Sequence, residues 1–365
     1  MTQPKTINAC LSRSSTVGVG VIGASGYVGC EAVRILRRHP QATLLAVGSR
    51  SFAERPVSEA FPELDSIDLA FTAQEDPLWW KSQGVDVVFA ALPHGAFASR
   101  ARAFLDAGMR VIDLSADFRL HAEGAYPRFY NLAHPDEALL PQAVYGLTEW
   151  ASDELANARL IANPGCYPTA SLLGILPIAQ AGLWSGGAIV INAMSGVTGA
   201  GRVAKLETHF VESSGDLGPY KVGEVHQHRG EIEETIARHT GVPSFSLVFN
   251  PVLVPTARGI LAMISIPLTG PISQADAHGI YSECYGDAAF VRVLSGEKLP
   301  HTRYVRGSNR CDIAVRVVDG GRMLQVYSVI DNLLKGAAGQ AVQNWNASEG
   351  WPEDLGLSRD AWTFV

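Results

Sequence analysis

The sequence predicts two domains, an α/β domain built on a parallel sheet and an α+β domain built on a mixed sheet. The length supports two domains, because 365 residues exceed the roughly 100–200 residues of one ordinary domain. Short β-rich runs alternate with helical patterns through the first 120 residues, whereas longer strand-like runs dominate after about residue 165. No Pro- or Ser-rich linker separates the halves, so we expect the domains to share a cleft.

The elements of the first domain follow from runs that are apolar throughout. Such runs predict strands covered on both faces and joined by right-handed crossovers. In chain order we predict a strand at 17–22, a helix at 27–38, strands at 43–47 and 85–92, a helix at 95–107, and strands at 110–114 and 160–162.

The second half has one long helix and then mostly strands. We predict a helix at 167–181, strands at 188–194, 244–254, 259–266, 311–318 and 324–330, and a last helix at 332–344 that returns to the first domain. These patterns divide the chain into a flexible tail at 1–15, a first domain at 16–165 that residues 331–365 complete, and a second domain at 166–330.

The composition excludes several classes of protein. Hydrophobic residues make up 47% and charged residues 18%, which is typical of a globular chain rather than a disordered one. A net charge of −7 argues against nucleic acid or an anionic membrane as a partner. No apolar run of about 18 residues and no secretory signal is visible. Five cysteines without a C-x-x-C pair favour a reducing compartment, and we expect the cytoplasm.

A glycine-rich loop, Gly-Ala-Ser-Gly-Tyr-Val-Gly at 23–29, lies between the first strand and the first helix. Backbone N–H groups at such a helix start attract a diphosphate, and glycine lets it approach closely. We therefore predict a Rossmann dinucleotide site. The alternative is a tight turn that serves packing alone. The residues expected to contact the cofactor here are Gly23, Ser25, Gly26, Tyr27 and Val28.

The residues after the second strand indicate which dinucleotide binds. An NAD site usually has Asp or Glu about 20 residues after the loop, where it holds the ribose 2′-hydroxyl. This chain has Ser49 and Arg50 there and no acid. A guanidinium and a hydroxyl suit a 2′-phosphate, so we predict NADP(H), with Arg50 as a surface charge the alternative.

The candidate nucleophile is Cys166, in the turn Asn-Pro-Gly-Cys-Tyr-Pro-Thr at 163–169. The turn precedes a helix, and a helix N-terminus is expected to lower the pKa of a thiol. Gly165 permits a sharp bend that exposes the sulfur. A cysteine chosen for packing is the alternative, and the cysteines at 10, 30, 284 and 311 carry no comparable signal.

A thiolate beside a nicotinamide suggests attack on an activated acyl group, a thioester, and reduction to an aldehyde. His226 and His228 are candidates to protonate the developing alkoxide or to bind a substrate anion. Surface histidines are the alternative for either one. As a pair of metal ligands, His226 and His228 lack a third ligand at a suitable spacing, so we expect no metal.

Several motifs together resemble the N-acetyl-gamma-glutamyl-phosphate reductase family over about residues 17–351. The most specific is IANPGCYPTASLLGILP; the others are GASGYVG, LPHG, SADFR, SGVTGAGR, PTARGI and DNLLKGAAGQA. The resemblance implies a fold related to glyceraldehyde-phosphate dehydrogenase. It implies NADPH-dependent reduction of N-acetyl-glutamyl phosphate to the semialdehyde in arginine biosynthesis, with release of phosphate. It also implies a homodimer or homotetramer, with 166–330 as the catalytic and dimerisation domain.

The resemblance also assigns roles to residues. It implies that Cys166 is the nucleophile and that His226 or His228 is the acid/base. Substrate contacts are implied for Arg119, Arg202, Arg258 and Glu231, and cofactor contacts for Ser195, Gly196 and Asn332. The family usually reads His-Arg-His-x-Pro-Glu, whereas Gln227 and Gly230 stand here in place of the Arg and the Pro. No cation is therefore expected on residue 227, and the neighbouring Arg229 is the alternative source of one, although its side chain would point elsewhere.

Other interpretations stay open from sequence alone. Arg119 has Asp113 or Asp117 as alternative salt-bridge partners, and His94 is placed either to cap a helix or to contact the cofactor. Two related activities are alternatives for this chain: aspartate-semialdehyde dehydrogenase, which acts on aspartyl phosphate, and reduction of an aminoadipyl phosphate derivative. A non-catalytic NADP-binding sensor is a further alternative, against which the intact cysteine turn and both histidines argue.

Overall fold

The computed structural model describes residues 16–362. The tail predicted at 1–15, with its cysteine, lies outside the described residues. Two seven-stranded sheets organise the chain, one all-parallel and one mixed. The predicted fold class is confirmed.

The first sheet has the strand order β3-β2-β1-β4-β5-β7-β6. Its strands are β1 (Val17–Ile22), β2 (Ala42–Gly48), β3 (Phe71–Thr72), β4 (Val87–Ala90), β5 (Arg110–Asp113), β6 (Ala143–Tyr145) and β7 (Leu160–Ala162). Every residue of β4 is buried, as its wholly apolar sequence predicts for a strand covered on both faces.

Helices cover both faces of this sheet. They are α1 (Tyr27–Leu36), α2 (Val57–Ala60), α3 (Pro77–Ser82), α4 (Ala98–Asp106), α5 (Ala125–Tyr130) and α6 (Thr148–Leu155). One apolar core forms between α1 and the sheet, and a second forms where α4 packs on the opposite face. Because all seven strands are parallel, their carboxyl ends lie along the same side of the sheet, where ligands bind in such folds.

The second sheet has the order β12-β13-β14-β11-β8-β10-β9 and contains both parallel and antiparallel pairs. Its strands are β8 (Ile189–Gly196), β9 (Gly218–Pro219), β10 (Leu247–Val254), β11 (Ile260–Pro267), β12 (Val291–Val293), β13 (Cys311–Val318) and β14 (Met323–Ile330). Buried residues alternate with more exposed ones along β11 and β8, so one face of the sheet carries the core.

Four helices belong to this half: α7 (Cys166–Gln180), α8 (Phe210–Ser213), α9 (His228–Thr240) and α10 (Gln274–Tyr285). Helix α7 packs on β11 and β14 and also contacts α9 and α10. Because it is enclosed on all sides, its residues are apolar around the whole circumference, and those from Tyr167 to Ala179 are all buried.

The last helical segment begins differently from the prediction at 332–344. A π-helical turn (Leu334–Ala338) comes first, and α11 (Gly339–Ser348) follows. Helix α11 packs against α1 and α6 of the first half, where Trp345 is fully buried beside Phe89. The boundaries proposed at residues 165 and 330 stay predictions.

Candidate active site

One large cavity of about 1360 Å³ lies between the two sheets. The loop after β1, the end of β2 and the loop after β4 line it from the first half. The start of α7, the loop after β8 and the segment before α9 line it from the second half. The glycine-rich loop and Cys166 therefore face the same space.

The glycine-rich loop has the geometry of a phosphate cradle. Gly23 has a φ of +78°, and a Cβ on it would overlap the carbonyl oxygen of Ala91. A Cβ on Gly29 would overlap the carbonyl oxygen of Gly23. Helix α1 begins at Tyr27 with no side chain capping its free N–H groups, and a Cβ on Gly26 would meet only the carbonyl oxygen of Gly23, at 3.5 Å. These groups fit a diphosphate.

The end of β2 places hydroxyls and a cation beside this loop. The Ser25 and Ser49 hydroxyl oxygens lie 2.7 Å apart. Arg50 is exposed, with its Nε 3.6 Å from Glu75 Oε1, and Arg100 Nη1 lies 3.2 Å from the same oxygen. Arg100 and Glu75 line the cavity but were not predicted, since no local motif marks either residue.

Cys166 is the first residue of α7, and its turn is tightly enclosed. A Cβ on Gly165 would lie 2.6 Å from His228 Nε2 and 3.0 Å from Arg119 Nη1. From the other side, a Cβ on Gly336 would lie 2.8 Å from Cys166 Cβ. Only glycine at positions 165 and 336 therefore lets the turn, the histidine and the guanidinium come together without displacement.

The two predicted histidines lie side by side. Their ring centroids are 4.9 Å apart, and the Tyr167 ring packs edge-on against both. Burial, helped by the charge of Lys221, lowers the pKa of His226 to about 3. Burial also lowers the pKa of His228 well below its usual value, with His226 and Arg119 adding to the effect. Both imidazoles are therefore neutral at neutral pH, and burial disfavours their protonated forms in the protein alone.

Glu231 connects these groups from beneath. Its side chain is fully buried and accepts hydrogen bonds from Arg119 Nη1 (3.0 Å), the Gly165 N–H (2.9 Å) and the Tyr145 hydroxyl (3.1 Å). Its Oε1 is also 3.9 Å from His228 Nε2. Glu231 does not line the cavity, so substrate contact by this residue stays a prediction that the geometry does not favour. Arg119, which does line the cavity, pairs with Glu231 and not with either aspartate considered from sequence.

Two further predicted residues, Arg202 and Asn332, line the cavity. Arg202 donates to the carbonyl oxygens of Ser25 (2.8 Å) and Ala60 (3.0 Å), which places it at the glycine-rich loop. Asn332 lines the cavity but already binds the Gly259 N–H (2.7 Å) and the Thr198 hydroxyl (3.0 Å).

Besides Glu231, two predicted positions lie outside the cavity lining. Arg258 donates to Glu31 Oε1 at 2.6 Å and lies 3.6 Å from Asp331, so its pairs join α1 to the second half. Gly196 packs against Ala257, whereas its neighbour Ser195 lines the cavity. Substrate contact by Arg258 and cofactor contact by Gly196 stay predictions that this geometry does not favour.

The pKa of the Cys166 thiol is shifted in the direction opposite to the one predicted. Burial raises its pKa to about 11, while Arg119 and the Tyr167 N–H act in the opposite direction. The prediction of a lowered pKa is therefore wrong for the protein alone, because enclosure of the sulfur outweighs the helix N-terminus. A base must take the proton when the thiol reacts.

Alkylation of Cys166 by iodoacetamide is expected to accelerate about tenfold per pH unit between about pH 7 and pH 10, because only the thiolate reacts. Peptide mass spectrometry separates Cys166 from the exposed Cys284. A rate for Cys166 that levels off near neutral pH would contradict the raised pKa.

Two protein-family models match this chain and define its class. The family model described as "Semialdehyde dehydrogenase, NAD binding domain" matches residues 18–158, and "Semialdehyde dehydrogenase, dimerisation domain" matches residues 166–332. The fold and the cysteine site thus define a semialdehyde-dehydrogenase-type protein whose first half is a nicotinamide-dinucleotide-binding domain.

Curated relatives narrow this class. N-acetyl-gamma-glutamyl-phosphate reductases are 43% identical over 93% of this chain in Citrifermentans bemidjiense and 45% identical over 93% in Desulforudis audaxviator, with 98% of each relative covered. The chain belongs to the N-acetyl-gamma-glutamyl-phosphate reductase family, which confirms the resemblance predicted from its motifs.

Solved structures show the same fold at greater distance. Aspartate semialdehyde dehydrogenase II from Vibrio cholerae aligns with a TM-score of 0.67 at 18% identity, covering 92% of this chain and 98% of that one. The Candida albicans enzyme, solved with NADP, aligns with a TM-score of 0.67 at 17% identity, covering 93% of this chain and 100% of that one.

Two features are absent from residues 16–362. No helix in that part of the chain is long and apolar enough to cross a membrane. Nor does it bring three or more His, Cys, Asp or Glu side chains together in a way that would hold a metal ion.

Proposed function

We propose that this protein reduces N-acetyl-gamma-glutamyl phosphate to N-acetyl-glutamate semialdehyde with NADPH and releases phosphate, as a step of arginine biosynthesis. The observation that carries the proposal is the shared cavity, in which a dinucleotide cradle faces a cysteine flanked by His228 and Arg119. The family to which the chain belongs supports the substrate.

The chemistry divides between the cysteine and the groups around it. The Cys166 sulfur attacks the acyl carbon, phosphate leaves, and a thioester forms. His228 takes the thiol proton as the sulfur attacks. Burial disfavours the resulting imidazolium, and its charge is offset by the Glu231 carboxylate, 3.9 Å from Nε2, and by the anionic substrate in the cavity. When bound, the nicotinamide cofactor supplies a hydride to the thioester carbonyl. His228 then returns its proton to the developing alkoxide, and the thiohemiacetal collapses to aldehyde and thiol.

The reverse reaction tests this assignment. N-acetyl-glutamate semialdehyde, phosphate and NADP⁺ are incubated with the protein, beside aspartate semialdehyde and NAD⁺. Phosphate-dependent formation of NADPH with the acetylated substrate alone is the expected result. Activity with aspartate semialdehyde instead would keep the chemistry and change the substrate. NADPH binding without turnover of either aldehyde would favour a sensor.

NADPH is proposed over NADH because Ser49 and Arg50 occupy the position where an acid would hold the ribose 2′-hydroxyl. Arg50→Ala is expected to weaken NADPH binding by about tenfold to 100-fold, since it removes a charged partner of the 2′-phosphate. NADH binding should change by less than about twofold. Fluorescence titration measures both constants.

Arg55→Ala is the matched control, because Arg55 is also exposed but pairs with Glu59 outside the cavity. It should leave both affinities unchanged. Equal losses for NADPH and NADH in Arg50→Ala would contradict the assignment.

A homodimer or homotetramer is proposed on two grounds. Residues 166–332 match a dimerisation domain, and helices α7 and α10 cover one face of the mixed sheet. On the other face, half-buried side chains such as Val190, Leu261 and Tyr327 alternate with the core residues. The cytoplasmic location stays a prediction.

A further inference from the structure

The substrate of the proposed reaction carries an acyl phosphate and a carboxylate, yet the predicted substrate arginines already have partners. Arg119 is paired with Glu231, and both side chains are almost completely buried. Arg258 is paired with two carboxylates, and Arg202 donates to backbone carbonyl oxygens at the glycine-rich loop. A cation without a carboxylate partner is therefore needed near Cys166.

Lys221 meets this description. It lines the cavity, and its Nζ donates to Gln227 Oε1 at 3.0 Å. Within residues 16–362 no carboxylate lies within salt-bridge distance of this ammonium group. Because the amide of Gln227 is neutral, the charge of Lys221 is not cancelled by its partner. The Gln227 side chain carries no charge, but its hydrogen bond holds the ammonium group of Lys221 beside the histidines.

The backbone around Lys221 is held in place. The Tyr220 hydroxyl donates to the Tyr167 hydroxyl at 3.0 Å, one residue from the nucleophile, and the Tyr220 N–H donates to the carbonyl oxygen of Pro251 at 3.2 Å. Lys221 itself has a φ of +45°, in the left-handed region that non-glycine residues rarely adopt. Such strain persists where surrounding contacts enforce it, and it concentrates at functional sites.

The field of Lys221 reaches the catalytic histidines. Its positive charge contributes to the lowered pKa of His226, after burial, and to those of His228 and His94, where several other causes are larger. All three imidazoles line the same cavity. Arg119 also acts on His228 and His94, and Asp117 opposes it at His94. Arg119 is already paired with Glu231, however, whereas Lys221 has no carboxylate partner within residues 16–362 and is the cation that an anion would meet unpaired.

We propose that Lys221 binds an anionic group of the substrate next to Cys166 and that Gln227 is its positioning residue. The inference rests on the proposed function. The group that Lys221 binds is an oxyanion, and it belongs either to the phosphate or to the carboxylate of the substrate. A lysine suits either one as a point charge.

Lys221→Gln tests the proposal in the reverse reaction. The KM for phosphate and the KM for the semialdehyde are measured separately. One of them is expected to rise about tenfold to 100-fold while kcat changes less, and the one that rises identifies the anion. Lys221→Arg should restore most of the loss because it keeps the charge.

Gln227→Leu tests the positioning role. It should raise the same KM by a smaller factor, about threefold to tenfold, because the ammonium group stays but loses its anchor. Lys298→Gln is the matched control, since Lys298 is an exposed lysine outside the cavity. It should leave both KM values unchanged.

Three results would overturn the inference. In the first, both KM values stay within about twofold in Lys221→Gln. In the second, only the affinity for NADPH changes. In the third, Lys221→Arg is as impaired as Lys221→Gln. Failure of the proposed function is distinct, because the wild-type protein would then show no phosphate-dependent turnover of the acetylated semialdehyde.

Discussion

Replacement of Cys166 by alanine is expected to lower turnover by on the order of 10⁴-fold or more, because the thioester then has no atom on which to form. The surrounding site should survive, since the substitution shortens a side chain that makes no hydrogen bond required by the fold. NADPH affinity is therefore expected to stay within about threefold of the wild-type value. Steady-state assay and cofactor titration on the same preparation measure the two quantities.

Cys284→Ala is the control for the loss of a thiol. Cys284 is exposed on α10, away from the cavity, and its removal should leave turnover unchanged. Turnover by Cys166→Ala above about a tenth of the wild-type rate would contradict a covalent mechanism through this residue. Trapping of a radiolabelled acyl group on wild-type protein, but not on Cys166→Ala, would identify the sulfur directly.

The sequence was informative wherever function depends on a continuous stretch of chain. The glycine-rich loop and the cysteine turn each sit between one strand and one helix, so a few neighbouring residues fix their geometry. The strand at Val17–Ile22 and the strand at Cys311–Val318 have the predicted bounds because apolar runs end at turn residues. Strands alternating with helices in the first half, and runs of strands in the second, likewise sufficed to separate a parallel sheet from a mixed one.

Properties that depend on distant parts of the chain were less predictable. The pKa of Cys166 depends on enclosure, to which Gly336 contributes from the C-terminal turn. Glu231 was predicted to contact substrate, yet the structure buries it beneath the site with Arg119. Lys221 was not predicted as a site residue, because an isolated lysine belongs to no sequence motif. Its role is inferred from its hydrogen bond to Gln227, six residues away, and from the arginines being already paired.

Glu231→Gln is expected to lower the free energy of unfolding by about 3–5 kcal/mol, because it leaves the buried guanidinium of Arg119 without a countercharge. The carboxylate now receives three donors: Arg119 on one oxygen, and the Gly165 N–H and the Tyr145 hydroxyl on the other. A carboxamide has only one acceptor oxygen, so its NH₂ group must face at least one of these donors. Urea unfolding measures the loss.

Glu233→Gln is the matched control on the same helix. Glu233 pairs with Arg229, which also has Glu224 as a partner, so the loss should stay within about 1 kcal/mol. Turnover should fall in Glu231→Gln alone, since the Gly165 N–H that fixes the cysteine turn bonds to Glu231. Equal stability losses in the two variants would contradict a special role for the buried pair.

The double variant Arg119→Met, Glu231→Gln separates stability from catalysis. With the guanidinium gone, the carboxamide oxygen can still accept from Gly165 and Tyr145, and no unpaired charge is buried. At least about half of the stability lost in the single variant should return, as is common when both members of a buried ion pair are replaced. Turnover should stay low, because the Glu231 carboxylate near His228 is missing from the double variant as well. A double variant no more stable than Glu231→Gln would show that the cost lies in the hydrogen bonds to Gly165 and Tyr145 and not in the charge of Arg119.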